Sequence, residues 1–201
     1  LTAVENILIS VGNRAPTVTI DTPLNGKLAS FTDKIPYKVT VTDPEDGTTG
    51  AGIDCANITV KISLGHDEHA HDLSSATGCT GTLQTGLTAG HGPEANTFTV
   101  ISVAYTDKGG PNGIVPLTGR AEAILQPKQK QAEFFASTGR TADSTAGGDK
   151  GVQTETTSDT GGGGMNIGFI EDGDYTSYKP FNLADISEAR FRVASAGPGG
   201  T

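Results

Sequence analysis

"IPYKVTVTDPEDG", residues 35–47, decides what kind of chain this is. Tyr37, Val39 and Val41 alternate with Lys38, Thr40 and Thr42, so an extended segment here has one apolar and one polar side. The run then breaks on Asp43-Pro44-Glu45-Asp46-Gly47, residue types that favour turns. That combination predicts a half-buried strand closed by a tight turn.

The same signature recurs on both sides. "TVTIDTPLNG" (17–26), "ANITVKISLG" (56–65), "NTFTVISVAYTDKGG" (96–110) and "GRAEAILQPK" (119–128) each carry a short apolar alternation followed by turn residues. Five or six such strands within residues 14–127 predict an antiparallel β-sandwich of immunoglobulin-like type. Residues 1–13 read as a linker or the end of an upstream domain, with a strand from Val4 to Val11 broken by Gly12 and Pro16. Composition agrees with an all-β chain: 201 residues, 34% hydrophobic, 5% aromatic, no Trp and 28 Gly.

Several function classes fall away at this level. A formal net charge of -9 argues against nucleic acid as a partner, because phosphates need a basic surface. No run approaches the ~18 apolar residues of a membrane helix, so no membrane partner is expected. Leu1 opens on sequence of mature character rather than a leader. Cys55 and Cys79 both lie in strand-and-turn context, outside any CxxC or nucleophile motif. They read as one disulfide, which implies an oxidising, extracellular setting, rather than as two thiols of a cytosolic protein.

"QPKQKQAEFF" (126–135) marks a boundary, and a second unit is expected over residues 128–201. Residues 138–164 have almost no large apolar side chain and end in Gly161–Gly164, which predicts a long loop. Strand patterns return at Asn166–Ile170, Tyr175–Tyr178 and Glu188–Ser195. "GFIEDGDYTSYKPF" (168–181) sets three carboxylates among aromatic rings. Strand alternation puts Tyr175 and Tyr178 on opposite faces, with Tyr178 inward and Tyr175 outward. Gly173 suits a tight turn whose polar needs Glu171, Asp172 and Asp174 would meet. Catalytic carboxylates of a glycosidase face each other across about 5–9 Å, a spacing that neighbours in one turn rarely reach, so no catalytic site is expected here.

"LGHDEHAHDL" (64–73) holds His66, His69 and His71, and His91 is the one other histidine. Imidazoles beside Asp67, Glu68 and Asp72 could hold zinc or copper, but the spacing fits no standard closed site. The favoured expectation is a polar hairpin whose histidines hydrogen-bond locally, with a transition-metal site as the alternative.

"QAEFF" (131–135), "IGFIEDGDYTSYKPFNL" (167–183) and "ARFRVASAGPGGT" (189–201), in that order and spacing, resemble the family-six carbohydrate-binding modules. The resemblance implies a β-jelly roll that binds polysaccharide and carries a structural calcium. It places Phe169 where the family often has a platform ring. With Tyr175 and Asp174, Phe169 makes up the expected sugar-binding set. It places Gln131 and Glu133 at the calcium site, which suits side chains two apart on a strand and leaving one face. The chain ends at "AGPGGT", about halfway through such a fold, so further domains of the same polypeptide or a partner chain are expected to complete the jelly roll. "VTVTDPEDG" resembles PKD-like and other bacterial immunoglobulin-like modules, mostly spacers. "VTVTDPEDG…GHDEHAHDLSSATGCTG…GHGPEAN" is similar to segments that follow sugar-dehydrogenase-type β-propellers in secreted bacterial proteins. Together these resemblances imply a non-catalytic accessory region of a larger secreted carbohydrate-active protein, whose parent would be a sugar oxidoreductase or glycoside hydrolase. The alternative is a structural or assembly protein whose β domains contact other chains.

Overall fold

The computed structural model describes residues 11–66, 69–87, 91 and 95–194. Among them the chain is all-β, with helix confined to the single 3-10 turns Cys55–Asn57 and Pro111–Gly113. The strand expected from Val4 falls largely outside the described residues.

The strands of the first part are β1 (Thr17–Thr22), β2 (Leu28–Ala29), β3 (Lys34–Asp43), β4 (Gly47–Thr49), β5 (Gly52–Ile53), β6 (Thr59–His66), β7 (His69–Thr77), β8 (Thr80–Gln84), β9 (Thr97–Thr106) and β10 (Thr118–Pro127). They make two five-stranded sheets. In one, β3 is the organising strand and pairs antiparallel with β1, β4 and β8. The other runs β2-β10-β9-β6-β7, with β2 joined to β10 in parallel.

The alternation seen in the sequence is what packs these sheets. Ile35, Tyr37, Val39 and Val41 of β3 are buried, as are Val60, Ile62 and Leu64 of β6 and Ile101, Val103 and Tyr105 of β9. Each fully buried Val, Leu or Ile contributes about 1.5–3 kcal/mol relative to exposure. The expected turn after β3 forms through Asp43, whose Oδ1 accepts from the Glu45 and Asp46 amides at 2.9 and 2.6 Å. Asp46 then accepts from the Tyr105 hydroxyl at 2.9 Å, tying that turn to the opposite sheet. Burial, followed by the Asp46 hydrogen bond, pushes the Tyr105 phenol up to about 12. Cys55 and Cys79 are disulfide-bonded, as the sequence suggested, with Cα atoms 5.0 Å apart.

Beyond Pro127 the structure is sparser. β11 (Ser137–Arg140) pairs antiparallel with β14 (Asp174–Ser177), and β12 (Gln153–Thr156) with β13 (Met165–Gly168). These are two separate two-stranded ribbons. β13 and β14 overlap the expected strands, each beginning one residue earlier. Three expectations change. The span 138–164, read as loop, contains most of β11 and all of β12. Residues 188–194, read as strand, have no regular structure. Gln131–Glu133, read as the start of a strand, lies at a turn in which the Phe134 amide bonds back to the Gln131 carbonyl. Val152 is the one large apolar side chain beyond Pro127 that is buried among the described residues, so polar contacts must hold this part. A backbone bond from Asn182 to Gly26 joins it to the loop before β2.

Candidate functional site

The centre of the C-terminal part is Arg140, at the end of β11 and directly opposite Asp174 in β14. Its side chain is only 4% exposed. Nε donates to Asp174 Oδ1 at 2.6 Å and Nη2 to Oδ2 at 3.3 Å, a forked pairing that matches the planar guanidinium to the carboxylate. Nη2 also donates to Glu171 Oε2 and the Asp149 carbonyl, and Nη1 donates to the carbonyls of Ala146 and Gly147. Asp174 accepts in addition from the amides of Gly151 and Glu171. One guanidinium thus gathers the 146–151 loop, the acidic turn and the β11–β14 ribbon. Its hydrogen bond holds the Asp174 carboxyl down at about 2.

This placement corrects one member of the expected sugar-binding set. The Asp174 side chain has no exposed surface and faces Arg140, so it is not presented to solvent. Glu171 is drawn to the same guanidinium. Gly173, at φ +79°, closes the turn; a Cβ there would meet Ser144 Cβ at 2.6 Å. The Glu171 and Asp174 carboxylates are engaged by the turn and the Arg140 hub.

Tyr175 lies on the other face of β14, as alternation required, and is 49% exposed. Its ring crosses Gly139 of β11, where an added Cβ would come within 2.7 Å of the tyrosine oxygen. The glycine is what lets the ring lie flat along the ribbon. Phe169 and Ile170, between β13 and the acidic turn, are 64% and 62% exposed. Phe169 holds φ +56°, a left-handed conformation that costs an aromatic residue of order 1–3 kcal/mol. Tyr178 turns inward, is half-buried, and donates to the Ala132 carbonyl at 2.8 Å while meeting the Phe181 ring edge-on.

Gln131 borders an open concavity of about 620 Å³ with Ser158, Asp159 and Thr160, and its Nε2 donates to the Gly161 carbonyl at 3.1 Å. Glu133 is not part of that lining. The strand geometry that would aim both side chains at one ion is therefore absent. The donors around Gln131 are nevertheless the oxygen types that calcium takes.

The histidines converge. His66 ends β6 opposite His69 at the start of β7, and His71 follows on the same strand. The Nε2 atoms of His66 and His71 are 3.0 Å apart, and a ring nitrogen from each of His66, His69 and His71 lies within 4.8 Å of the others. The His91 ring centroid is 4.3 Å from that of His66. Desolvation, then the neighbouring His69, His66 and His91, lowers the His71 pKa.

The sequence reading missed Arg140. No local motif announces it, because its carboxylate partner lies 34 residues away.

Residues 143–201 match the family model for carbohydrate binding module (family 6). The match supports a carbohydrate-binding module in this part of the chain. It takes in Phe169, Tyr175 and the acidic turn, while Gln131, Glu133 and Arg140 lie before it. No solved structure matches the chain.

Proposed function

We propose that residues 128–201 bind a polysaccharide through Phe169 and Tyr175, as a non-catalytic accessory region of a larger extracellular carbohydrate-active protein in which residues 14–127 act as a spacer. The observation that carries this reading is Tyr175 laid open along the ribbon over Gly139, within the segment matching the binding-module family. Sugar rings present flat C–H faces, and an exposed aromatic face is their usual partner. The buried Arg140–Asp174 pair keeps the ribbon beneath that ring in place. The disulfide suits an oxidising compartment.

Calcium belongs to the same proposal. Gln131 and Glu133, on one turn, would offer it side-chain oxygens, so chelator should lower the melting temperature.

Electrophoresis through gels cast with xylan, β-1,3-glucan or hydroxyethyl cellulose tests the binding. Retarded migration in at least one gel, abolished in Phe169→Ala/Tyr175→Ala and without release of reducing sugar, is expected. Unretarded migration throughout, or release of reducing sugar, counts against it.

The assembly reading has its own observation. Leu183, Ile186, Phe191 and Val193 are exposed, the last two at 84% and 85%. If contact between chains is the main role, sedimentation should show concentration-dependent association that Phe191→Ser/Val193→Ser removes.

A further inference from the structure

We propose that His66, His69, His71 and His91 form a binding centre for zinc or copper(II) at the end of the β2-β10-β9-β6-β7 sheet. The chain has four histidines, and all four meet there. Two come from β7, one from β6, and His91 from the segment that precedes β9.

Strand pairing explains the convergence. His66 is directly opposite His69, and His71 is directly opposite Leu64. Opposed residues of an antiparallel pair share a face, and positions two apart on a strand share it too. His66, His69 and His71 therefore stand on one face, the one that carries Leu64 into the core. His91 closes the group, with ring centroids 4.3 Å from His66 and 5.4 Å from His71.

The distances suit a metal. Two nitrogens each about 2.05 Å from one ion are about 2.9 Å apart at a right angle and about 3.3 Å apart at the tetrahedral angle. The Nε2 atoms of His66 and His71, 3.0 Å apart, lie between these limits. His69 comes within 4.8 Å of both, a gap that side-chain torsions can close. Imidazole donors select zinc, copper or nickel over calcium and magnesium. Asp72 is not in competition, because its carboxylate already accepts from Lys61 at 2.6 Å and Ser63 at 2.9 Å.

A purely local arrangement explains less. One N–H···N bond would account for the His66–His71 pair, but not for His69, whose ring centroid lies 4.0 Å from that of His66. Thr97 adds an independent mark. It pairs with His66 across β6 and β9, is fully buried, and its Oγ1 has no hydrogen-bond partner among the described residues. A water on the ion would give that hydroxyl a partner.

Such an ion would staple the β6–β7 hairpin to the segment before β9. The test uses the 201-residue chain, stripped with EDTA and exchanged into metal-free buffer. Zinc sulfate and copper(II) sulfate are titrated separately by calorimetry, and the copper form is read by electron paramagnetic resonance. One equivalent of at least one metal should bind with a Kd in the micromolar range or below, and the copper spectrum should show imidazole nitrogen coupling. His69→Ala and His91→Ala should each weaken binding at least tenfold. His91→Gln guards against a folding defect, and all three variants should melt like the wild type without metal. Substoichiometric binding of both metals overturns the proposal, and so does stoichiometric binding that neither His91 variant weakens tenfold.

Discussion

Residues 17–127 and residues 137–177 are both built mainly from antiparallel strand pairs, yet opposite means hold them. In the first, Val41, Ile58, Val60, Ile62, Leu64 and Ile101 have no exposed surface, and two sheets close over them. In the second, one buried guanidinium stands where such a core would be, with its N–H groups shared among two carboxylates and three carbonyls. Apolar burial is non-directional and insensitive to pH over the ordinary range. A charged hub is directional, and it fails when its carboxylates are protonated. The sandwich can serve as a stable spacer. The ribbon leaves its aromatic residues at the surface.

Perturbations should separate the two regions. The largest effect is expected from Ile62→Ala in the sandwich core, which should cost about 2–5 kcal/mol in urea unfolding through lost burial and the cavity left behind. A cost below about 1 kcal/mol would mean the two sheets do not share a tight core. Next, replacing both cysteines by serine should remove roughly 3 kcal/mol by freeing the loop between Cys55 and Cys79.

The third contrast is in alkali. Tyr105 stays protonated to about 12 in the fold, against an ordinary value of about 10. The unfolded chain therefore releases this proton first, and stability present below pH ~10 should decline as pH rises toward ~12. Tyr105→Phe should flatten that limb and cost about 1.5 kcal/mol at neutral pH through the lost bond to Asp46. An unchanged alkaline limb in the variant would break this assignment.

The fourth is in acid, with the opposite sign. Asp174 is depressed to about 2, so its contribution is complete above pH ~4 and is lost as pH falls through ~2. Amide exchange at Gly151 and Glu171, whose N–H groups bond to Asp174, should accelerate over that range, while amides of β6 and β9 stay protected. Simultaneous loss in both regions would show a single cooperative unit instead.

The same division governs what could be read from sequence. β3, β6 and β9 were legible because alternating side chains are the direct imprint of a half-buried strand. β7 and β8 were not, since "HAHDLSSAT" and "TGTLQ" are exposed along most of their length and carry little periodicity. β11 and β12 were hidden for a related reason: Ser, Thr, Gly and Gln form their strands through backbone pairing and the Arg140 hub, neither of which leaves an apolar pattern. At the site, alternation placed Tyr175 outward, but it could not show that Asp174, one residue earlier, pairs with a buried arginine from another strand. The spacing of His66, His69 and His71 resembled no known motif because cross-strand register, not helical period, brings them together.

The most direct test of the polysaccharide-binding account follows the backbone amide signals of the ¹⁵N-labelled chain during titration with a soluble polysaccharide that retards it in gels. Shifts should gather at Gly139, Phe169, Ile170 and Tyr175, with β3, β6 and β9 unmoved. Tyr175→Ala should weaken binding by about 1 kcal/mol or more, with the melting temperature little changed. Shifts confined to the sandwich, or binding at full strength in Tyr175→Ala, would contradict the account.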